Sequence, residues 1–285
     1  MPTYAVTGAT GQLGRLVIQQ LLDSGVPAAE IAAIVRNPEK AADLAARGVE
    51  IRKANYDDPS TLPGAVAGVR RLLLISGNAP GQRVAQHTAV IDAAKLAGVE
   101  RLVYTSILKA DTTANPLAPE HKATEQVLAA SGLTHTVLRN SWYTENYTDQ
   151  LPQYLGSGMI LGATGGSKIS AATRADYAGA AVAALTREQD GNAVYELGGT
   201  AFTFDELAEA VTAVTGTTVV HRDMSAAELA SALENVGLDA GTAGFVAALD
   251  HSIANGELAT DSDDLSRLLG RSSTPLRDAI RAART

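Results

Sequence analysis

The run Val6-Thr7-Gly8-Ala9-Thr10-Gly11-Gln12-Leu13-Gly14 constrains this chain more than any other segment. An apolar strand ending at Val6 enters a turn with a G-x-x-G-x-x-G spacing. A helix then opens, with Leu13, Leu16, Val17 and Leu21 on one face. Glycine permits a positive φ and lets a ligand approach the backbone without a Cβ in the way. The helix N-terminus offers unpaired N–H groups and a partial positive charge at the same spot, which suits a pyrophosphate. The glycine pattern alone is a weak signal. Placed after a first strand and at the head of a βαβ unit, it marks a dinucleotide site. Gly8, Thr10, Gly11, Gln12, Leu13 and Gly14 are the expected contacts.

The next strand, Ile31-Ala32-Ala33-Ile34-Val35, ends in Arg36. Sites for unphosphorylated NAD usually place Asp or Glu there, to hold the adenosine ribose. A guanidinium instead attracts a 2′-phosphate, with Lys40 as a second cation. The expected cofactor is therefore NADPH.

Composition narrows the class. At 285 residues the chain is long enough for one large core or two packed lobes. It has no cysteine, which removes disulfides, thiolate nucleophiles and Cys-based metal sites. A cytoplasmic protein is expected. No apolar run approaches membrane-spanning length and the start is a strand without a basic leader, so neither membrane nor signal segment is expected. A net charge of −8 argues against a nucleic-acid partner. The five histidines, His87, His121, His135, His221 and His251, show no metal-ligand spacing, and no metal is expected.

Strand candidates fall at 3–7, 31–36, 49–54, 70–76, 100–106, 134–139 and 193–197, with helical patterns between most of them. Leu72-Leu73-Leu74-Ile75 reads as a strand buried on both faces. The alternation predicts an α/β Rossmann fold, a doubly wound parallel sheet. A helix is expected from about 176 to 187, with Asp176 as its N-cap. Beyond 200 the texture is helical, at 204–214, 226–236, 242–254 and 274–283. We expect a cofactor domain at 1–140, with 167–198 returning to it. A smaller, mostly helical substrate lobe would comprise 141–166 and 199–285.

Ligands in open α/β sheets bind beyond the carboxyl ends of the strands. One such end is Ser76-Gly77, where a small residue lets a ribose lie close; Asn55 and Tyr56 lie within expected reach of the adenine. After the sixth strand comes Asn140-Ser141-Trp142-Tyr143-Thr144-Glu145-Asn146-Tyr147, the densest aromatic cluster. Interleaved aromatics and amides follow neither helical nor strand period, and they suit a planar organic ligand. His87 repeats with Val84, Val90 and Ile91 at helical spacing, so packing is its expected role.

These segments resemble the NmrA-like branch of atypical short-chain dehydrogenases. Within it the chain is similar to NADPH-dependent quinone oxidoreductases of the bacterial type 2 kind and to triphenylmethane dye reductases. The likeness rests on the glycine turn, Val35-Arg36-Asn37-Pro38-Glu39-Lys40, Leu73-Leu74-Ile75-Ser76-Gly77, Leu138-Arg139-Asn140 with Tyr143, Ala172-Thr173-Arg174, and Thr260-Asp261-Ser262-Asp263-Asp264-Leu265. It implies a Rossmann domain, NADPH, and reduction of a quinone-type conjugated acceptor. It also implies that the glycine turn, Arg36 and the segment from Asn140 onward line the cofactor and substrate cleft.

One departure bears on mechanism. Short-chain dehydrogenases usually carry Tyr-x-x-x-Lys on the helix after the fifth strand. Here Leu117 or Ala118 stands at the tyrosine position and His121 or Lys122 at the lysine, depending on register. Ser106 matches the strand-end serine but lacks its tyrosine. Quinone reduction tolerates this, because hydride attack yields a delocalised phenolate that needs positioning and a donor more than a strong acid. His121, Tyr143 and Asn146 are the candidate donors or orienters, with Trp142 and Tyr143 as the substrate wall. His121 is expected either to lend a proton near neutral pH or to pair with Glu125 on the helix surface. A dye reductase acting on triarylmethane or azo compounds is the alternative enzyme. A non-enzymatic NADP(H)-sensing regulator is the alternative outside catalysis. A homodimer stays open.

Overall fold

Continuous apolar strands joined by helical crossovers must bury both faces of a sheet, and this chain does so. The computed structural model describes residues 2–284. The chain begins β1 (Tyr4–Val6), α1 (Gln12–Asp23), β2 (Ile31–Val35), α2 (Ala42–Ala46), β3 (Glu50–Lys53), α3 (Leu62–Val66) and β4 (Arg71–Leu74). Next come α4 (Arg83–Leu96), β5 (Arg101–Ile107), α5 (Ala118–Ala130) and β6 (His135–Asn140). Then follow α6 (Glu145–Thr148), α7 (Leu151–Ser157), β7 (Met159–Gly162), α8 (Arg174–Thr186) and β8 (Ala193–Leu197). The chain closes with α9 (Phe204–Thr215), β9 (Val220–Asp223), α10 (Ala226–Asn235), α11 (Ala240–Ala254), α12 (Asp264–Leu269) and α13 (Leu276–Ala282).

Seven strands form one sheet in the order β3-β2-β1-β4-β5-β6-β8. The pairings β1–β2, β1–β4, β2–β3, β4–β5 and β5–β6 are parallel. Strand order reverses between β1 and β4, where doubly wound folds bind ligands beyond the carboxyl ends. Alternate residues serve opposite layers. Leu72, Leu74, Leu102 and Tyr104 join one core with Val90, Ile91 and Leu128, while Leu73 and Val103 are equally buried without belonging to it. α1 packs with α8, whose Tyr177, Ala178, Ala180 and Ala181 are at most 1% exposed. Alanine there lets the two helices approach closely. Helix α8 starts at Arg174, so Asp176 lies within the first turn and is not the N-cap expected for it.

The chain divides into two units. The first comprises 1–110, 119–140 and 174–195; the second comprises 111–118, 141–173 and 196–285. The second unit holds a parallel pair, β7 with β9, that the sequence did not suggest. Both strands have four residues, and Val220-His221-Arg222-Asp223 has no apolar run, with only His221 turned inward. Helices α9, α10, α11 and α13 fall on the four stretches expected to be helical, whereas α6, α7 and α12 were not expected; capping boxes at Thr203–Glu206 and Ser225–Glu228 start α9 and α10. Around β7 and β9, Tyr147, Phe202, Phe204 and His221 meet edge to face at ring separations of 5.3 to 6.1 Å. A Cβ on Gly162 would lie 2.7 Å from the Phe204 ring and 2.9 Å from His221 Nε2, so only glycine fits.

Thr260 and Asp264 also act within the second unit. Thr260 N donates to Ser170 Oγ and Ser170 Oγ to Thr260 O, while Asp264 Oδ2 accepts from Glu196 N. Among the described residues no helix is long and apolar enough to cross a membrane.

Candidate active site

Each glycine of the turn has a separate reason to be there. Gly8 has φ +57°, a conformation that side chains disfavour. Gly11 caps α1, and its N–H closes the turn on Gly8 O at 2.9 Å. Gly14 has no room for a Cβ, with Ala9 Cα 2.8 Å from where it would sit. No side chain caps α1 and no acidic residue occupies its first turn. The N–H groups at Gln12 and Leu13 and the positive helix end are thus not neutralised from within, which fits an incoming pyrophosphate.

At the end of β2, Arg36 and Lys40 are exposed, and neither side chain has a hydrogen bond or ion pair among the described residues. Arg15, by contrast, is paired with Asp43 at 2.7 Å. Tyr56, after β3, has its hydroxyl sealed from solvent without a hydrogen-bond partner. Burial pushes that phenol up to about 12, eased by the Thr7 hydroxyl and the Arg36 charge. Asn140, closing β6, likewise keeps Oδ1 buried and unpartnered. Buried polar atoms are rarely left unsatisfied, and such orphans are what a polar ligand completes.

Beyond β4 the chain leaves the sheet, and three successive amides there are held by side chains. Ile75 N donates to Thr7 Oγ1 at 3.0 Å, Ser76 N to Thr105 Oγ1 at 2.9 Å, and Gly77 N to His87 Nε2 at 3.0 Å. Arg83 Nε donates to Gly77 O at 2.8 Å. Ser76 and Gly77 are thereby fixed, and a Cβ on Gly77 would come no closer than 3.4 Å to the protein. Gln86 Oε1 and His87 Nε2 would stand in ordinary contact with that Cβ, so Gly77 is lined by protein without being crowded. His87 packs, as expected, but its polar edge also anchors this segment.

His121 departs from both expectations. It is 6% exposed, and its Nδ1 lies 2.8 Å from Tyr104 Oη, not against Glu125. Burial, then the charges of Arg83 and His87, push its pKa down to about 3, so it is neutral at pH 7 and carries no acidic proton. Glu125 is engaged elsewhere. It accepts from Ser106 Oγ at 2.5 Å and from Arg139 Nε and Nη2 at 3.1 and 2.7 Å. Ser106, without its usual tyrosine, donates to the carboxylate of this buried ion pair.

The sequence pattern did not single out Tyr104, Arg83 or Arg139 as site residues. A signal existed for Tyr104: between Arg101 and Ile107 it is the one aromatic among aliphatic and hydroxylated neighbours in β5.

In the second unit, Trp142 and Tyr143 are half-buried and their backbone pairs with Ala172. Ala172 N donates to Trp142 O at 3.1 Å and Thr144 N to Ala172 O at 2.9 Å. Asn146 lies in the short helix α6, its N–H on Tyr143 O at 3.0 Å. Ala172 thus ties down the backbone of the aromatic stretch.

The comparisons agree with this geometry. A family model described as NAD(P)H-binding matches residues 8–188. Quinone oxidoreductase 2 of Escherichia coli (strain K12) is 47% identical over 277 residues, covering 97% of this chain and 96% of that protein. The crystal structure of an NADPH-dependent quinone oxidoreductase from Escherichia coli, complexed with NADPH, superposes with a TM-score of 0.95 at 46% identity, covering 99% of this chain and 100% of the other. The Citrobacter sp. triphenylmethane reductase complexed with NADP(H) gives 0.92 at 41% identity, covering 99% of both chains. This chain belongs to the NAD(P)H-binding, NmrA-like family of oxidoreductases.

Proposed function

We propose that this protein is an NADPH-dependent oxidoreductase that delivers hydride to a quinone, acting as a cytoplasmic enzyme. The observation that carries the cofactor assignment is Arg36, a guanidinium without a protein partner at the end of β2, beside the strand that bears the uncapped glycine turn. The activity follows the relative that shares nearly half its residues along almost the whole chain.

The cofactor domain lies in the first unit. There the turn from Gly8 to Gly14 would hold the pyrophosphate, Arg36 and Lys40 the 2′-phosphate, and Ser76, Gly77 and Asn140 the nicotinamide half. NADPH supplies the hydride, two electrons with one proton. The chain's own residues position the acceptor and hold the charge that the hydride creates on it. His121 serves there as a neutral hydrogen-bond donor. In the substrate lobe of the second unit, Trp142 and Tyr143 would stack on a planar ring and Asn146 would supply an orienting amide.

The likeness to a triphenylmethane reductase favours one second reading, reduction of a cationic dye. Purified protein, NADPH and 1,4-benzoquinone or a naphthoquinone test the first. Cofactor oxidation well above an enzyme-free control is expected. No stimulation across a panel of quinones and dyes overturns the enzyme reading.

A further inference from the structure

A chain of hydrogen bonds behind His121 decides where its proton sits. Gly77 N–H donates to His87 Nε2, so His87 carries its hydrogen on Nδ1 and donates it to Thr124 Oγ1 at 3.1 Å. The Thr124 hydroxyl in turn donates to Glu120 O at 2.8 Å. Tyr104 stands among these groups, wholly buried, its ring 5.4 Å from His87 and 6.0 Å from His121. Its hydroxyl makes one hydrogen bond, to His121 Nδ1. Thr124 Oγ1, the other acceptor nearby, already accepts from His87; its second lone pair is the weaker alternative, because an imidazole nitrogen accepts more strongly than a hydroxyl. A phenol proton in a sealed pocket must be donated somewhere, and Nδ1 is the group in line.

We propose that Tyr104 is a positioning residue: its donated hydrogen bond fixes His121 as the neutral tautomer with the proton on Nε2, which makes His121 a hydrogen-bond donor to a carbonyl oxygen and not an acid. This rests on the quinone reading above. His121 Nε2 has no hydrogen-bond partner among the described residues, nor is it among the buried atoms sealed without one. The groups acting on this pair are Arg83, His87, Glu120 and Glu125. Arg83 and His87 disfavour an imidazolium, and burial with the two carboxylates keeps the Tyr104 phenol protonated.

The proposal separates two acceptor classes. Hydride addition to a quinone forms one bond to hydrogen and leaves negative charge on a carbonyl oxygen. Nε2–H holds that oxygen and keeps its own proton, while solvent water supplies the proton that completes the hydroquinone. Hydride addition to a triarylmethane cation forms a C–H bond and cancels the positive charge. No oxygen becomes charged, and the donor has nothing to hold.

The test has a spectroscopic arm and a kinetic arm. Nitrogen-15 NMR of the imidazoles, with His121 assigned by its absence in His121→Gln, should show a neutral ring protonated on Nε2 from about pH 5 to pH 8. In Tyr104→Phe both tautomers should be populated. His121→Leu should lower quinone turnover about 10- to 100-fold more than turnover of a cationic triphenylmethane dye. Tyr104→Phe should cost a smaller factor in quinone kcat with KM unchanged, and His121→Gln, which keeps an N–H, should retain more quinone activity than the leucine variant. A wild-type His121 protonated on Nδ1, or charged at neutral pH, overturns the proposal, as do equal losses on quinone and dye. A ring with the expected tautomer in a protein that reduces no quinone sinks the quinone reading and leaves the tautomer assignment standing.

Discussion

The carbonyl of Gly8 and the α-carbon of Gly14 are so close that a β-carbon on Gly14 would overlap the Gly8 oxygen. Helix α1 can sit this near the strand only while position 14 has no side chain. Gly14→Ala must push the helix start away from the turn, an overpacking cost of about 1–3 kcal/mol. Calorimetric titration should show NADPH affinity down at least about tenfold, with a lower melting temperature. Gly11→Ala should be milder, because its nearest contact would be 3.1 Å. A Gly14→Ala protein that binds like the wild type would place the pyrophosphate elsewhere.

Arg36→Ala should weaken NADPH about 10- to 100-fold, in line with the loss of a charge-assisted contact of about 1.5–3 kcal/mol. Affinity for NADH should change little, since it lacks the 2′-phosphate. Titration of both nucleotides into both proteins gives the ratio; equal losses would show that the arginine does not read the phosphate.

Arg139 and Glu125 form a pair whose side chains are only 10% and 13% exposed. Removing one partner strands the other's charge in the interior. Arg139→Met should therefore lower stability by about 3–5 kcal/mol. The double variant Arg139→Met, Glu125→Leu should recover part of that loss. Denaturant melts of the three proteins check it, and a double variant no better than the single would contradict the stranded-charge account.

Asp250 gives a pH dependence of known sign. It is 8% exposed, with Oδ2 accepting from Ala163 N at 2.9 Å. Burial raises its carboxyl to about 6, against the favourable effects of the Ala163 amide and His221. In the unfolded chain an aspartate releases its proton near 3.9. The favourable contribution is complete below about pH 4 and is lost as pH climbs through about 6, because the unfolded state ionises first. Asp250→Asn should accordingly raise the melting temperature at about pH 7.5 by a few degrees, a gain of about 1–3 kcal/mol, and by much less near pH 4. A gain independent of pH would mean that ionisation is not its source.

The strands and the glycine turn were legible because both signals are local. A run such as Leu72-Leu73-Leu74 buries both faces whatever follows it, and Gly8, Gly11 and Gly14 carry their reason within seven residues. β7 and β9 were not legible, since a four-residue strand with Arg222 and Asp223 has no period to read. The environment of His121 was also hidden. Its partner comes from a strand 17 positions earlier, and helical spacing pointed instead to Glu125, whose true partners are Ser106 and Arg139. The charge state of a histidine depends on what buries it, and no spacing rule supplies that.

The clasp on residues 75–77 draws one group each from the turn after β1, from β5 and from α4. Those elements lie scattered along the first hundred or so positions, so the clasp cannot close until all three have docked. A nascent chain short of β5 would have the glycine turn complete and still lack the hydroxyl that holds Ser76. Nucleotide affinity should therefore arise late, as a report that the parallel sheet has been assembled, and fade early when the sheet begins to loosen.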